Sequence, residues 1–294
     1  MCRAFDVSKQ AYYQWDRERE LRISTMEAFA LEFILEVRLK DPGIGGRKLW
    51  HMYRLEFPAE ARLGRDRFET LIAANGLKVR RKPRRTRTTD SSHGFPLYPN
   101  LVREFMPCAI NQLWVSDITY IPLWADDERR SFSYLSLITD AYSREIIGWS
   151  VGLTLDSTYP VMALRMAMDG RLGNMPAEGL VHHSDRGVQY ACREYTGLLK
   201  DSGILISMTE NGDPKENAQA ERINSTLKNE LLKDMRFHSL KELRQAIASA
   251  VDFYNNRRPH MSIDMMTPAQ AAKCQGEIGK RWYSYRDAVI KKTG

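Results

Sequence analysis

The sequence predicts an α/β fold behind a small helical unit, and three features carry that prediction. Up to residue 77, apolar residues recur at helical spacing in short blocks separated by turn signals. Three strand-like runs then follow one another between residues 113 and 155. Beyond them, helical blocks alternate with short apolar runs, the order expected where strands pair in parallel across helical connections.

Ser24-Thr25-Met26-Glu27 has the form of a capping box and is expected to open the first helix. Met26, Phe29, Ala30, Phe33, Ile34 and Val37 continue it until Asp41-Pro42-Gly43 stops it. A Gly-rich turn leads to a second helix with Leu49, Met52 and Tyr53. A third, with Phe68, Leu71 and Ile72, ends at Asn75-Gly76. Residues 1–77 read either as a helix-turn-helix-like DNA-binding region or as a plain helical bundle. The basic tract that follows favours DNA. Residues 78–106 read as that tract plus a Ser-, Pro- and Gly-rich linker. Strands are expected at 113–123, 131–139 and 145–155, followed by a helix at 156–169 and a short strand ending at Asp185. A helix at 189–201, a strand at 204–209 and long helices at 216–235 and 239–256 complete the order.

Charge is unevenly spread. The 294 residues hold 44 basic and 37 acidic side chains, a net charge of +7. Lys78, Arg80, Arg81, Lys82, Arg84, Arg85 and Arg87 supply seven cations within ten residues, and the rest of the chain is balanced. A cationic tract on a neutral protein points to an anionic polymer such as nucleic acid; a solvated linker is an equal alternative for the tract by itself. No uncharged apolar run is long enough to span a bilayer, and the first residues lack a signal-peptide core. Four scattered cysteines form neither a disulfide framework nor a Cys-x-x-Cys metal knuckle. Membrane, secreted and zinc-ribbon classes are therefore excluded as readings, and the reducing cytoplasm is the expected location.

Three acids fall where chemistry is done in α/β proteins. Asp117 lies inside the first strand, Asp185 at the end of the fourth, and Glu221 on the long helix; ligands collect at the carboxyl ends of such strands. Three converging carboxylates repel one another unless cations neutralise them, and Mg²⁺ suits hard oxygen donors that share a site with phosphates. Solvated surface carboxylates are the plain alternative, and Asp140 at the end of the second strand is a rival.

Five strings decide between them: "LWVSDITYIP", "YLSLITDAYSREIIGWSVG", "HHSDRGVQY", "NAQAERINSTLKNEL" and "YNNRRPHMSIDMMTPAQA". In this order they resemble the integrase-like DDE transposases of bacterial insertion sequences, in particular the second-frame product of the family made as a frameshift fusion. The resemblance is close over residues 107–273, and 35 residues separate Asp185 from Glu221, as the family signature requires. It implies a ribonuclease H-like catalytic domain with a mixed five-stranded sheet at 107–237 and a C-terminal helical extension at 238–294. Asp117, Asp185 and Glu221 are implied as catalytic metal ligands for two Mg²⁺ ions, for which Mn²⁺ would substitute. The family's basic residue seven positions after its glutamate falls on Lys228. Positions 217, 221, 224 and 228 share one helical face, so Asn217, Asn224 and Lys228 are expected to face DNA together with the basic tract.

The implied function is Mg²⁺-dependent strand cleavage and strand transfer at insertion-sequence ends. The implied partners are double-stranded DNA at the element's ends and target, further copies of the chain on DNA, and the first-frame product of the same element. Nucleoid association would follow. A nuclease of the same fold that never joins strands, and a DNA-binding protein that has lost catalysis, are the rival functions. The zinc module of retroviral integrases is absent from the sequence, so no structural zinc is expected.

Overall fold

A computed structural model describes residues 8, 17–79, 94–124, 130–173, 177–210 and 217–279. The chain divides into two compact units, Met1–Lys82 and Pro83–Gly294.

The first unit contains α1 (Arg17–Lys40), α2 (Gly46–Glu56), a 3-10 turn (Ala59–Ala61) and α3 (Arg65–Ala74). Its core is built from Ala30, Phe33, Ile34 and Val37 of α1, Leu49, Met52 and Tyr53 of α2, and Phe68 and Ile72 of α3. The Tyr53 ring stacks on Phe68 at 4.8 Å, and its hydroxyl accepts from the Leu63 N–H at 3.1 Å. The expected first cap is corrected. Helix α1 is already running at Arg17, and the hydroxyls of Ser24 and Thr25 donate back to the Leu21 carbonyl. Such back-bonding is the mid-helix alternative to capping. Phe29, expected on the buried face, points to solvent. At the other end, α3 stops as its sequence demands, with Gly76 left-handed at φ 66° and the Leu77 N–H returning to the Ile72 carbonyl.

The second unit is built on one sheet. Strands β1 (Leu113–Trp124), β2 (Arg130–Asp140) and β3 (Ile146–Gly152) form an antiparallel meander. Strand β4 (Val181–Ser184) pairs parallel to β1, and β5 (Leu205–Met208) parallel to β4, giving the order β3-β2-β1-β4-β5. This is the mixed five-stranded sheet that the resemblance implied. Helix α4 (Thr158–Arg171) lies flush on β3 because Gly148 and Gly152 lack side chains. A Cβ on Gly148 would strike the Ala163 carbonyl, and one on Gly152 the Tyr159 ring. Helices α5 (Val188–Ala191) and α6 (Arg193–Asp201) connect β4 to β5. The core under the sheet joins Trp114, Ile138, Leu164, Tyr190, Tyr195, Leu199 and Met208.

Four expected boundaries change. Strand β3 ends at Gly152, and Leu153 and Leu155 beyond it are exposed. The helix expected at 189–201 is broken at Cys192, which is extended at φ −63°, ψ 153°. The helix expected at 216–235 is α-helical only as α7 (Ala218–Thr226), then continues as a π-helical turn over Leu227–Leu231. The segment before β1 is no free linker throughout: Tyr98 packs on the core, Val102 is buried, and the Leu101 N–H donates to Ser207 Oγ at 2.9 Å.

Helix α8 (Leu240–Asn256) starts where expected, with Ser239 Oγ accepting from the Glu242 N–H. It closes the β3 edge through Asn255, which accepts from the Ile146 N–H and donates to the Ile146 carbonyl. A short α9 (Pro268–Ala271) follows under a Thr267–Gln270 capping box. Among the described residues no helix is long and apolar enough to cross a membrane.

Candidate active site

Strand register brings the first two acids level. Val115 of β1 pairs with His183 of β4 in parallel. Two residues further along stand Asp117, within β1, and Asp185, just past the end of the parallel β4. Helix α7 is then fastened over this end of the sheet by two asparagines. Asn217 Nδ2 donates to the Ser116 carbonyl at 2.9 Å, and Asn224 Nδ2 donates to Asp117 Oδ2 at 2.7 Å. Glu221 lies between them, one helical turn from each, and so faces the same strand end.

The electrostatics agree. Burial pushes the Asp117 carboxyl up to about 7, with repulsion from Asp185 adding to it and a smaller push from Glu221. The Asn224 amide and the Ile118 N–H, which donates at 2.9 Å, oppose that rise without cancelling it. Asp185 Oδ1 accepts from the Gly187 N–H at 2.9 Å, and a Cβ at position 187 would stand only 2.9 Å from that same oxygen. A side chain there would have to push the carboxylate aside.

Beneath the acids lies a buried polar layer. His182 Nε2 is 2.6 Å from Ser116 Oγ and 2.9 Å from the Tyr195 hydroxyl, and His183 Nδ1 is 2.9 Å from Ser207 Oγ. Burial, helped by His183, pushes His182 down to about 3, so it is a neutral packing group. Tyr190 carries a buried hydroxyl without a hydrogen-bond partner among the described residues. Burial raises that phenol well above its ordinary value, and Tyr195, Asp117 and Asp185 add to the rise.

The rival Asp140 serves a turn instead. Its Oδ1 accepts from the Tyr142 and Ser143 N–H groups and from Ser143 Oγ, and its Oδ2 accepts from the Asn111 N–H.

The expectation for the long helix changes in two ways. Asn217 and Asn224, expected to face DNA, are buried and spend their amide donors on β1. Lys228 lies in the π-helical turn, with Nζ 4.0 Å from the Tyr120 ring centroid. That turn is held from behind by Arg258, whose Nε and Nη2 donate to the two Glu230 carboxylate oxygens, each at 2.8 Å. Among the tract residues Lys78 is exposed at the end of the first unit, while Arg80, Arg81, Lys82, Arg84, Arg85 and Arg87 lie outside the described residues.

The donor set fits a hard divalent cation. Asp117 is raised first by burial and then by Asp185 and Glu221, and Asn224 Oδ1 is a further buried oxygen without a partner among the described residues. Among those residues no three His, Cys, Asp or Glu side chains are closed into a ready metal cage.

Two integrase core domain models match the chain, over residues 109–214 and 202–268. An insertion element IS600 31 kDa protein of Shigella sonnei is 34% identical over 92% of this chain and 96% of its own length. The transposase of insertion sequence element IS629, also from Shigella sonnei, is 33% identical over 78% of this chain and 73% of its own. The HTLV-2 integrase catalytic core domain, solved in complex with magnesium, overlays on 56% of this chain and 97% of its own at 21% identity and a TM-score of 0.43.

Proposed function

The chain belongs to the insertion-sequence transposases that carry an integrase core domain, and from that membership we propose that it cuts and joins DNA strands at the ends of its element. The observation that supports the chemistry best is the electrostatic coupling of Asp117 to Asp185 and Glu221, which adds to the rise that burial gives the Asp117 carboxyl.

In the proposed reaction, water opens one phosphodiester at an element end and leaves a 3′-hydroxyl. That hydroxyl then attacks a second phosphodiester in line, displacing a new 3′-oxygen, with no covalent protein intermediate. Asp117, Asp185 and Glu221 would hold two Mg²⁺ ions, which supply activation of the nucleophile and neutralisation of the leaving oxygen. Asn224 and the Ile118 N–H keep the Asp117 carboxylate turned toward its partners. The Gly187 N–H does the same for Asp185. Lys228 would meet a phosphate near the cut, and the cations of Lys78–Arg87 would neutralise phosphates further along the duplex. Other copies of the chain on the same DNA, and the element's first-frame product, would complete the assembly.

Incubating the chain with a labelled duplex that ends as the element ends tests this reading. Nicks with 3′-hydroxyls and joined products, both dependent on Mg²⁺ or Mn²⁺, are expected. Cutting without joining would favour the nuclease, and binding without cutting the silent DNA-binding protein.

A further inference from the structure

We propose that α2, and not α3, is the helix of the first unit that meets the DNA duplex, through a face made by Arg47, Trp50, His51 and Arg54. The inference rests on the DNA-processing reading above and adds which surface of the first unit serves it.

Connection lengths point to α2. In a helix-turn-helix, a short turn that often contains Gly leads into the helix that enters the groove by its N-terminal residues. Helix α1 ends at Lys40 and α2 begins at Gly46, so the turn is the five residues 41–45, with glycines at 43 and 45. Between α2 and α3 lie the eight residues 57–64, including a 3-10 turn. That connection is too long to be the tight turn of the motif.

Packing and charge point the same way. Helix α2 buries Leu49, Met52 and Tyr53, which leaves positions 47, 50, 51 and 54 on the other side of the helix, with Arg47 exposed and Trp50, His51 and Arg54 half-buried. Its first turn holds no acid, and Glu56, its last residue, is its only one. The Arg54 guanidinium lies 5.3 Å from the Trp50 ring centroid, and its Nη2 is 3.4 Å from His51 Nδ1. Cation and aromatic surfaces thus lie along one stripe. Helix α3 has arginines too, but they are already matched. Arg65 pairs with Glu69 at 3.0 Å, and Arg67 reaches Glu27 of α1 at 2.7 Å. With Asp66 exposed beside them, α3 offers a phosphate backbone no net attraction.

Two double variants of the full chain remove the same charge from either helix. Fluorescence anisotropy on an element-end duplex, over a range of salt, compares Arg47→Gln/Arg54→Gln with Arg65→Gln/Arg67→Gln. The α2 pair should weaken binding by about ten-fold or more and flatten the slope of log K against log salt by about 2. The α3 pair should stay within about two-fold of the parent, because its cations are spent on carboxylates. Arg47→Glu alone, at an exposed position that packs against nothing in the core, should reproduce most of the α2 effect if the double variant folds poorly. Equal losses from both helices, or a larger loss from α3, would overturn the assignment. A parent chain that cuts and joins the duplex while the α2 variants bind normally would remove this inference and leave the proposed function standing. A parent chain that binds no duplex would remove both.

Discussion

At the turn after β2, the carboxylate of Asp140 is buried and accepts four hydrogen bonds, three from backbone N–H groups and one from Ser143 Oγ. One strand away, Asp117 accepts from one side-chain amide and its neighbour's N–H while two other carboxylates push against it. The two aspartates share a sheet and a sequence context rich in Ser and Thr, yet one is saturated and the other is under-paired. A saturated carboxylate holds backbone in place. An under-paired one that faces other acids is poised to accept a cation.

The widest gap should appear on replacing each acid. Asp140→Ala leaves three backbone donors without an acceptor and should lower unfolding free energy by about 3 to 5 kcal/mol in denaturant titration. Asp117→Asn relieves repulsion, so it should be at least as stable as the parent at pH 8 without divalent cation. It should also lose strand cutting by about 10³-fold or more. An Asp117→Asn chain that unfolds as easily as Asp140→Ala would erase the distinction.

Next in size is the hydrogen bond that orients Asp117. Asn224→Ala should raise the Asp117 carboxyl further, since that amide opposes the rise, and slow cutting by about 10- to 100-fold. Duplex binding should hold, which anisotropy would check.

The polar layer below gives a pH signature. His182 is depressed to about 3, so the folded chain keeps it neutral where the unfolded chain protonates it at about pH 6.5. Its contribution is therefore fully present above pH 6.5 and lost as pH falls toward 3, by about 1.4 kcal/mol per pH unit at most. His182→Gln should flatten that part of the stability profile; a parent profile with no such slope would mean the imidazole is not held neutral.

The smallest effect belongs to Lys228, which already rests on an aromatic ring. Lys228→Ala should weaken engagement of the element end by about three- to ten-fold, and unrelated duplex less. Equal losses on both would make it a nonspecific phosphate contact.

The strand meander and the parallel pair were legible because they follow from local alternation, while the three acids were nominated by motifs that keep their order. What stayed hidden depends on contacts across the fold. Asn217 and Asn224 read as outward-facing because helical spacing alone cannot show that β1 takes up their amide donors. The π-helical turn that carries Lys228 also carries Glu230, which pairs with Arg258, 28 residues away in the chain. What Asp140 does instead depends on the Asn111 N–H, 29 residues away in the chain. Ser24-Thr25 misled for the opposite reason, since a local cap signal lost to a helix that continues through it on both sides.

The central claim is that three carboxylates act together on phosphodiesters. It is tested most directly by Glu221→Gln, which keeps the side chain's size and removes its charge, on a labelled element-end duplex in Mg²⁺. This chain should bind the duplex about as tightly as the parent and yield neither nicked nor joined product. Joined product at near-parental rate would contradict it.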